Sequence, residues 1–152
     1  MPAIATRHIE LASLAATEAL AAAVAALAHR GDAILLEGEL GAGKSVFARA
    51  FLRVASGDPG LEVPSPTFTL VQTYETRIGP VHHFDLWRLS GPDGLAELGW
   101  EEARSDVVLV EWPDRLAALR PEDALTVALH PTGTDSRQAV LSGWPDRPVR
   151  IA

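Results

Sequence analysis

Residues Gly38-Glu39-Leu40-Gly41-Ala42-Gly43-Lys44-Ser45 follow the pattern G-x-x-x-x-G-K-[ST], and that order of residue types builds a cradle for phosphate. Glycines admit positive φ, which lets successive backbone N–H groups turn inward. A helix starting just after Gly43 adds its first amides and the positive end of its dipole. Lys44 is then placed to reach the β- and γ-phosphates of a nucleotide, and the Ser45 hydroxyl to bind Mg²⁺. Nucleotide contacts are expected along Glu39, Leu40, Gly41, Ala42, Gly43, Lys44, Ser45 and Val46. Of thirteen basic residues, twelve are arginine and Lys44 is the single lysine. An ammonium is a compact point charge and a guanidinium a wide planar fork, so this lysine marks a place where arginine would not serve.

Phosphoryl chemistry at such a site needs a carboxylate at the end of a neighbouring apolar strand. Val107-Val108-Leu109-Val110-Glu111 is the cleaner candidate and Val81-His82-His83-Phe84-Asp85 the second. Glu111 is assigned to the metal shell. Asp85 either shares that shell or orients the attacking water, and the sequence does not separate the two roles. The loop Ser65-Pro66-Thr67-Phe68 places Thr67 where a switch segment would sense the γ-phosphate, although a rigid proline turn would read the same way.

Other chemistries find little support. His82 and His83 are adjacent on an expected strand, so they face opposite ways and do not chelate jointly. Neither H-E-x-x-H nor G-x-S-x-G occurs, which removes the zincin and nucleophile-elbow patterns. The chain has no cysteine, which excludes disulfides and thiolate sites and fits a reducing compartment.

The elements that must position these residues can be read from periodicity. Residues 5–12 suit a strand, and Ser13 would cap an alanine-rich helix over 14–29. Residues 33–37 suit a buried strand and 46–54 a helix. Two strands over 69–76 and 81–86 form a hairpin around Ile78-Gly79-Pro80. One or two short helices are expected over 92–103, a strand over 106–111, and a helix over 113–119 with proline at its first position. Two more strands, 124–130 and 138–141, follow, and residues 143–152 read as a tail. The mixture of βαβ units and hairpins predicts an α/β three-layer P-loop NTPase-like fold with a mixed parallel/antiparallel sheet, in a single domain over 1–152. Trp87, Trp100, Trp112 and Trp144 are expected as packing groups, with Trp112 near the nucleotide.

Composition sets the outer limits. The chain has 152 residues, 47% hydrophobic and 22% charged, as in ordinary globular domains. Its longest apolar run, Ala19 to Ala28, is far below the roughly 18 residues of a membrane span. No basic stretch leads into an apolar segment, so no signal peptide and no membrane partner are expected. The formal net charge is −7, which disfavours an unaided grip on a nucleic-acid backbone.

Four segments in this order carry a family resemblance: Gly38–Ser45, then Ser65-Pro66-Thr67-Phe68-Thr69-Leu70, then His83-Phe84-Asp85-Leu86-Trp87-Arg88-Leu89, then Val110-Glu111-Trp112-Pro113. The chain resembles the TsaE (YjeE-type) family, over roughly residues 9 to 142. The resemblance implies a cytoplasmic P-loop ATPase, using ATP and Mg²⁺, of tRNA threonylcarbamoyladenosine (A37) biosynthesis. It implies work with the TsaD–TsaB complex, with tRNA met only through those partners, and a resetting role that permits multiple turnover. Carried over by position, Lys44 and Ser45 are the phosphate and Mg²⁺ residues, Thr67 lies in the switch-like loop, Asp85 is a catalytic acid and Glu111 the second metal-shell acid. The family commonly has threonine at the Ser45 position, where serine keeps the hydroxyl, and tyrosine at the Trp87 position, where the phenolic OH is lost.

Three alternatives compete. A small-molecule kinase needs an acceptor pocket and clustered lid arginines, yet Arg49, Arg53, Arg77, Arg88, Arg104 and Arg115 are scattered along the chain. A GTPase needs an N-K-x-D or T-K-x-D element, which a chain with no asparagine and one committed lysine lacks. A nucleotide-dependent binding module, whose hydrolysis is dispensable, differs from the leading reading only in whether turnover matters.

Overall fold

The computed structural model describes residues 6–66 and 69–151. Seven strands form one sheet in the order β1-β7-β6-β2-β5-β4-β3, with β1 Thr6–Leu11, β2 Ala33–Glu37, β3 Val71–Thr76, β4 Gly79–Asp85, β5 Val107–Glu111, β6 Leu125–Pro131 and β7 Arg137–Ser142. The central strands β6, β2, β5 and β4 run parallel, and antiparallel pairs extend both edges. The carboxyl ends of the parallel strands therefore open on one edge, where open α/β sheets place their ligands.

Burial on both faces explains why β2 and β5 are apolar up to the glutamate that closes each. Ile34, Leu36, Val107 and Leu109 face helices α1 (Leu14–Leu27) and α2 (Lys44–Ser56). Ala33, Leu35, Val108 and Val110 pack on the other face with Leu86, Leu95, Trp100 and Leu116. This is the expected three-layer, mixed-sheet architecture. Ser13 caps α1, its side chain accepting from the Ala16 N–H at 3.2 Å.

Several boundaries differ from the sequence reading for local reasons. Strand β3 starts at Val71 because Leu70 is left-handed at φ 68°. Residues 92–103 form two 3-10 turns and the four-residue α3 (Trp100–Ala103), with left-handed Gly99 between the second turn and α3. The helix expected over 113–119 is instead a 3-10 stretch broken at Ala117, whose φ is 48° and ψ −121°. Only Pro113 and Leu116 are buried there, too small an apolar stripe to hold a regular helix.

Residues 143–151 have no strand or helix, yet they are docked. Trp144 and Val149 are buried against the α1/α2 core. Arg147 binds Asp32 through both terminal nitrogens, at 2.7 and 2.9 Å, and stacks 3.8 Å from the Trp144 ring centroid.

Candidate functional site

Strand β2 ends at Glu37 and α2 begins at Lys44, so the glycine-rich segment bridges the open edge of the sheet. Gly38, Gly41 and Gly43 all have positive φ, at 146°, 81° and 105°. A side chain at Gly38 would meet the Leu129 carbonyl oxygen at 2.7 Å and the Ala42 Cβ at 2.8 Å, so only glycine fits where the loop crosses β6.

A cavity of about 300 Å³ opens beside this loop, lined by Leu40, Gly41, Gly43, Lys44, Ser45 and Val46, together with Ser65, Asp85, Glu111, Trp112 and Arg137. Asp85 and Glu111 reach it because they are register partners at the carboxyl ends of β4 and β5. Each lies an even number of residues from a strand residue packed toward α1 and α2, Val81 and Leu109. Both carboxylates are buried. Asp85 Oδ1 accepts from the Trp87 N–H at 3.1 Å. Glu111 Oε2 accepts from His83 Nε2 at 2.7 Å. That bond puts the proton on Nε2 and leaves the buried Nδ1 without a partner among the described residues.

Lys44 is buried too. Its ammonium donates to the Gly38 carbonyl and lies 3.4 Å from the Trp112 ring centroid, a cation–π contact. Burial holds its pKa below the ordinary 10.5, while Glu111, Asp85 and Asp114 push in the opposite direction. Trp112 takes left-handed backbone at φ 59° and packs on Trp87 with ring centroids 4.4 Å apart. A bulky residue in that region is a strain that clusters at functional sites.

Not every residue of the sequence reading shares this cavity. Glu39 lines a neighbouring one of about 320 Å³ with Leu36, Glu37, Gly38, Trp112, Pro113 and Asp114. Ala42 is fully buried and is not among the residues that line the cavity. Thr67 lies outside the described residues. His82 and His83 do diverge: His82 bonds Thr73 and Asp106, both at 2.9 Å, remote from the Glu111 partner of His83.

The sequence reading passed over Arg137, which contributes a guanidinium to the cavity from β7. No motif announces it; a lone arginine opening a strand carries no local signal.

The donor set suits a small hard cation. Mg²⁺ uses one or two protein oxygens and completes its shell with phosphates and water, and Ser45 with Glu111 or Asp85 offers that. Among the described residues no group of three or more His, Asp or Glu could hold a metal ion by itself. None of their helices is long and apolar enough to cross a membrane.

Comparison with known proteins decides the family. The family model described as "Threonylcarbamoyl adenosine biosynthesis protein TsaE" matches residues 11–139. The chain belongs to the TsaE family. A TsaE of Bacillus subtilis is 33% identical over 137 residues, covering 86% of this chain and 82% of that one. TsaE proteins of Rickettsia bellii and Rickettsia felis are each 38% identical, covering 80% and 74% of this chain. The match spans 84% of the first relative but 66% of the second. The crystal structure of Bacillus subtilis YdiB superposes with a TM-score of 0.75 at 26% identity, covering 97% of this chain and 91% of that one. The TsaE assignment and the P-loop NTPase-like fold thus agree with the reading of the four segments.

Proposed function

We propose that this TsaE-family protein binds and hydrolyses ATP as an accessory component of tRNA threonylcarbamoyladenosine (A37) modification, acting in the cytoplasm with TsaD–TsaB to permit multiple turnover. The observation that carries the ATPase reading is the convergence of Lys44, Ser45, Asp85 and Glu111 on one cavity beside the glycine-rich loop. The pathway rests on family membership and on the relatives' names.

The loop amides and the start of α2 bind the phosphates, and Lys44 neutralises charge on the β- and γ-groups. Ser45 and Glu111 hold Mg²⁺, which supplies charge neutralisation to the phosphate oxygens. Asp85, fixed by the Trp87 N–H, orients the water whose oxygen attacks the γ-phosphorus as the bond to the leaving ADP oxygen breaks. Thr67, carried over by position from the family motif, is the residue assigned to sensing the γ-phosphate. At a net charge of −7, the protein meets tRNA only through its more basic partners.

The test is ATP turnover by the protein alone, with TsaD–TsaB, and with tRNA added, while modification is scored in parallel. The reading expects turnover that rises with the partners and modification that stops after one round when this protein is omitted. Modification indifferent to omission overturns the pathway. Full function with an Asp85→Ala protein that binds ATP without hydrolysing it would favour a binding module.

A further inference from the structure

Arg137 is bonded in an unusual way. It is 8% exposed, and every side-chain hydrogen bond it makes among the described residues goes to a backbone carbonyl. Nε donates to Ala42 at 2.8 Å and Nη2 to Gly41 at 3.1 Å. Nη1 donates to Ser136, Thr134 and Gly133, at 2.8, 3.2 and 3.3 Å. Among the described residues no carboxylate forms an ion pair with it.

Two consequences follow from elementary chemistry. A loop that binds an anion through its N–H groups must point the intervening carbonyls elsewhere. Arg137 supplies a destination for two of them, Gly41 and Ala42, both inside the glycine-rich loop. The same guanidinium gathers the carbonyls of the turn between β6 and β7, so it bolts that turn to the loop.

Resting on the ATP-binding reading above, we propose that Arg137 is a positioning residue for the triphosphate: it presets the glycine-rich loop in its anion-binding form before nucleotide arrives. The role belongs to the fork of a guanidinium. A lysine at this position has three donors on one nitrogen and does not span two loop carbonyls and the turn together.

The experiment compares ATP, ADP and inorganic tripolyphosphate binding by calorimetry in the full chain and in Arg137→Met, Arg137→Lys and Lys44→Ala. Both Arg137 variants are expected to bind all three ligands about tenfold more weakly or worse, with the loss shared equally by ATP and ADP because loop geometry is affected and not the γ-phosphate. Wild-type affinity in Arg137→Met, full rescue by Arg137→Lys, or a loss confined to ATP overturns the proposal. Unchanged binding in Lys44→Ala overturns the underlying ATP-site reading instead. Should the Arg137 variants fail to fold, backbone order parameters of Gly41 and Gly43 in the nucleotide-free wild-type protein decide the question. Values near about 0.85 support a preset loop, and values below about 0.6 overturn it.

Discussion

His83 Nε2 and Glu111 Oε2 lie 2.7 Å apart, with the two side chains 2% and 7% exposed. Water has little access to this pair, so the histidine and not solvent sets the direction of the carboxylate that faces Ser45 across the cavity. Removing the imidazole strands a buried carboxylate. His83→Ala is therefore expected to lower stability by roughly 1–3 kcal/mol and ATP turnover by about tenfold or more, while His83→Gln, which keeps a donor, retains more of both. Chemical denaturation and steady-state phosphate release measure the two effects. Equal turnover in all three proteins would show that Glu111 needs no orienting partner.

Asp85 sits beside Glu111 in strand register but has a different anchor, the Trp87 N–H. Asp85→Ala is expected to leave ATP affinity within about threefold and to reduce turnover by about a hundredfold or more, as befits a group that acts on the attacking water. Binding and turnover falling together would assign Asp85 to ground-state binding.

The Lys44 ammonium lies over the Trp112 ring. A triphosphate bound beside Lys44 alters the charge next to that ring, so Trp112 emission is expected to change on ATP binding. The change should vanish in Trp112→Phe although Trp87, Trp100 and Trp144 remain. Because burial holds Lys44 below its ordinary 10.5, the alkaline loss of ATP affinity should begin below that value. A signal that persists in Trp112→Phe, or an affinity constant past pH 10.5, contradicts the arrangement.

How much of this was legible in the sequence depends on how local each feature is. The loop from Gly38 to Ser45 is contiguous, and its flanking strand and helix follow from short apolar patterns. Asp85 and Glu111 were each visible as an acid closing an apolar run, but their adjacency depends on β4 pairing with β5, which no local pattern states. Arg137 contacts the loop from 95 residues away, and its function exists only once the β6–β7 hairpin pairs alongside β2. The docking of residues 143–151 is similar: prolines and short length suggest a tail, whereas the Arg147–Asp32 pair, 115 residues apart in sequence, pins the segment to the core. The helix expected over 113–119 failed for a reason of size, since a seven-residue span with two buried side chains does not stabilise regular α-helix.

The Arg147–Asp32 pair gives a prediction on stability. Burial alone would raise the Asp32 pKa; the Arg147 hydrogen bonds and charge, with the His29 N–H, outweigh it and hold the group below 3.8. A carboxylate depressed in the folded state contributes stability above its unfolded value and loses it as pH falls through the folded value. Asp32→Asn should thus cost roughly 2 kcal/mol at neutral pH, and its denaturation midpoint should converge with wild type only below pH 3.8. A difference that stays constant into acid would mean that packing, and not the ion pair, is lost.

The central claim is that the glycine-rich loop and Lys44 bind the phosphates of ATP. Calorimetric titration of MgATP into the wild-type protein and into Lys44→Ala tests it most directly. The account predicts saturable binding by the wild type and loss of most of that affinity in Lys44→Ala, with the fold intact by circular dichroism. Equal affinity in the two proteins would contradict it.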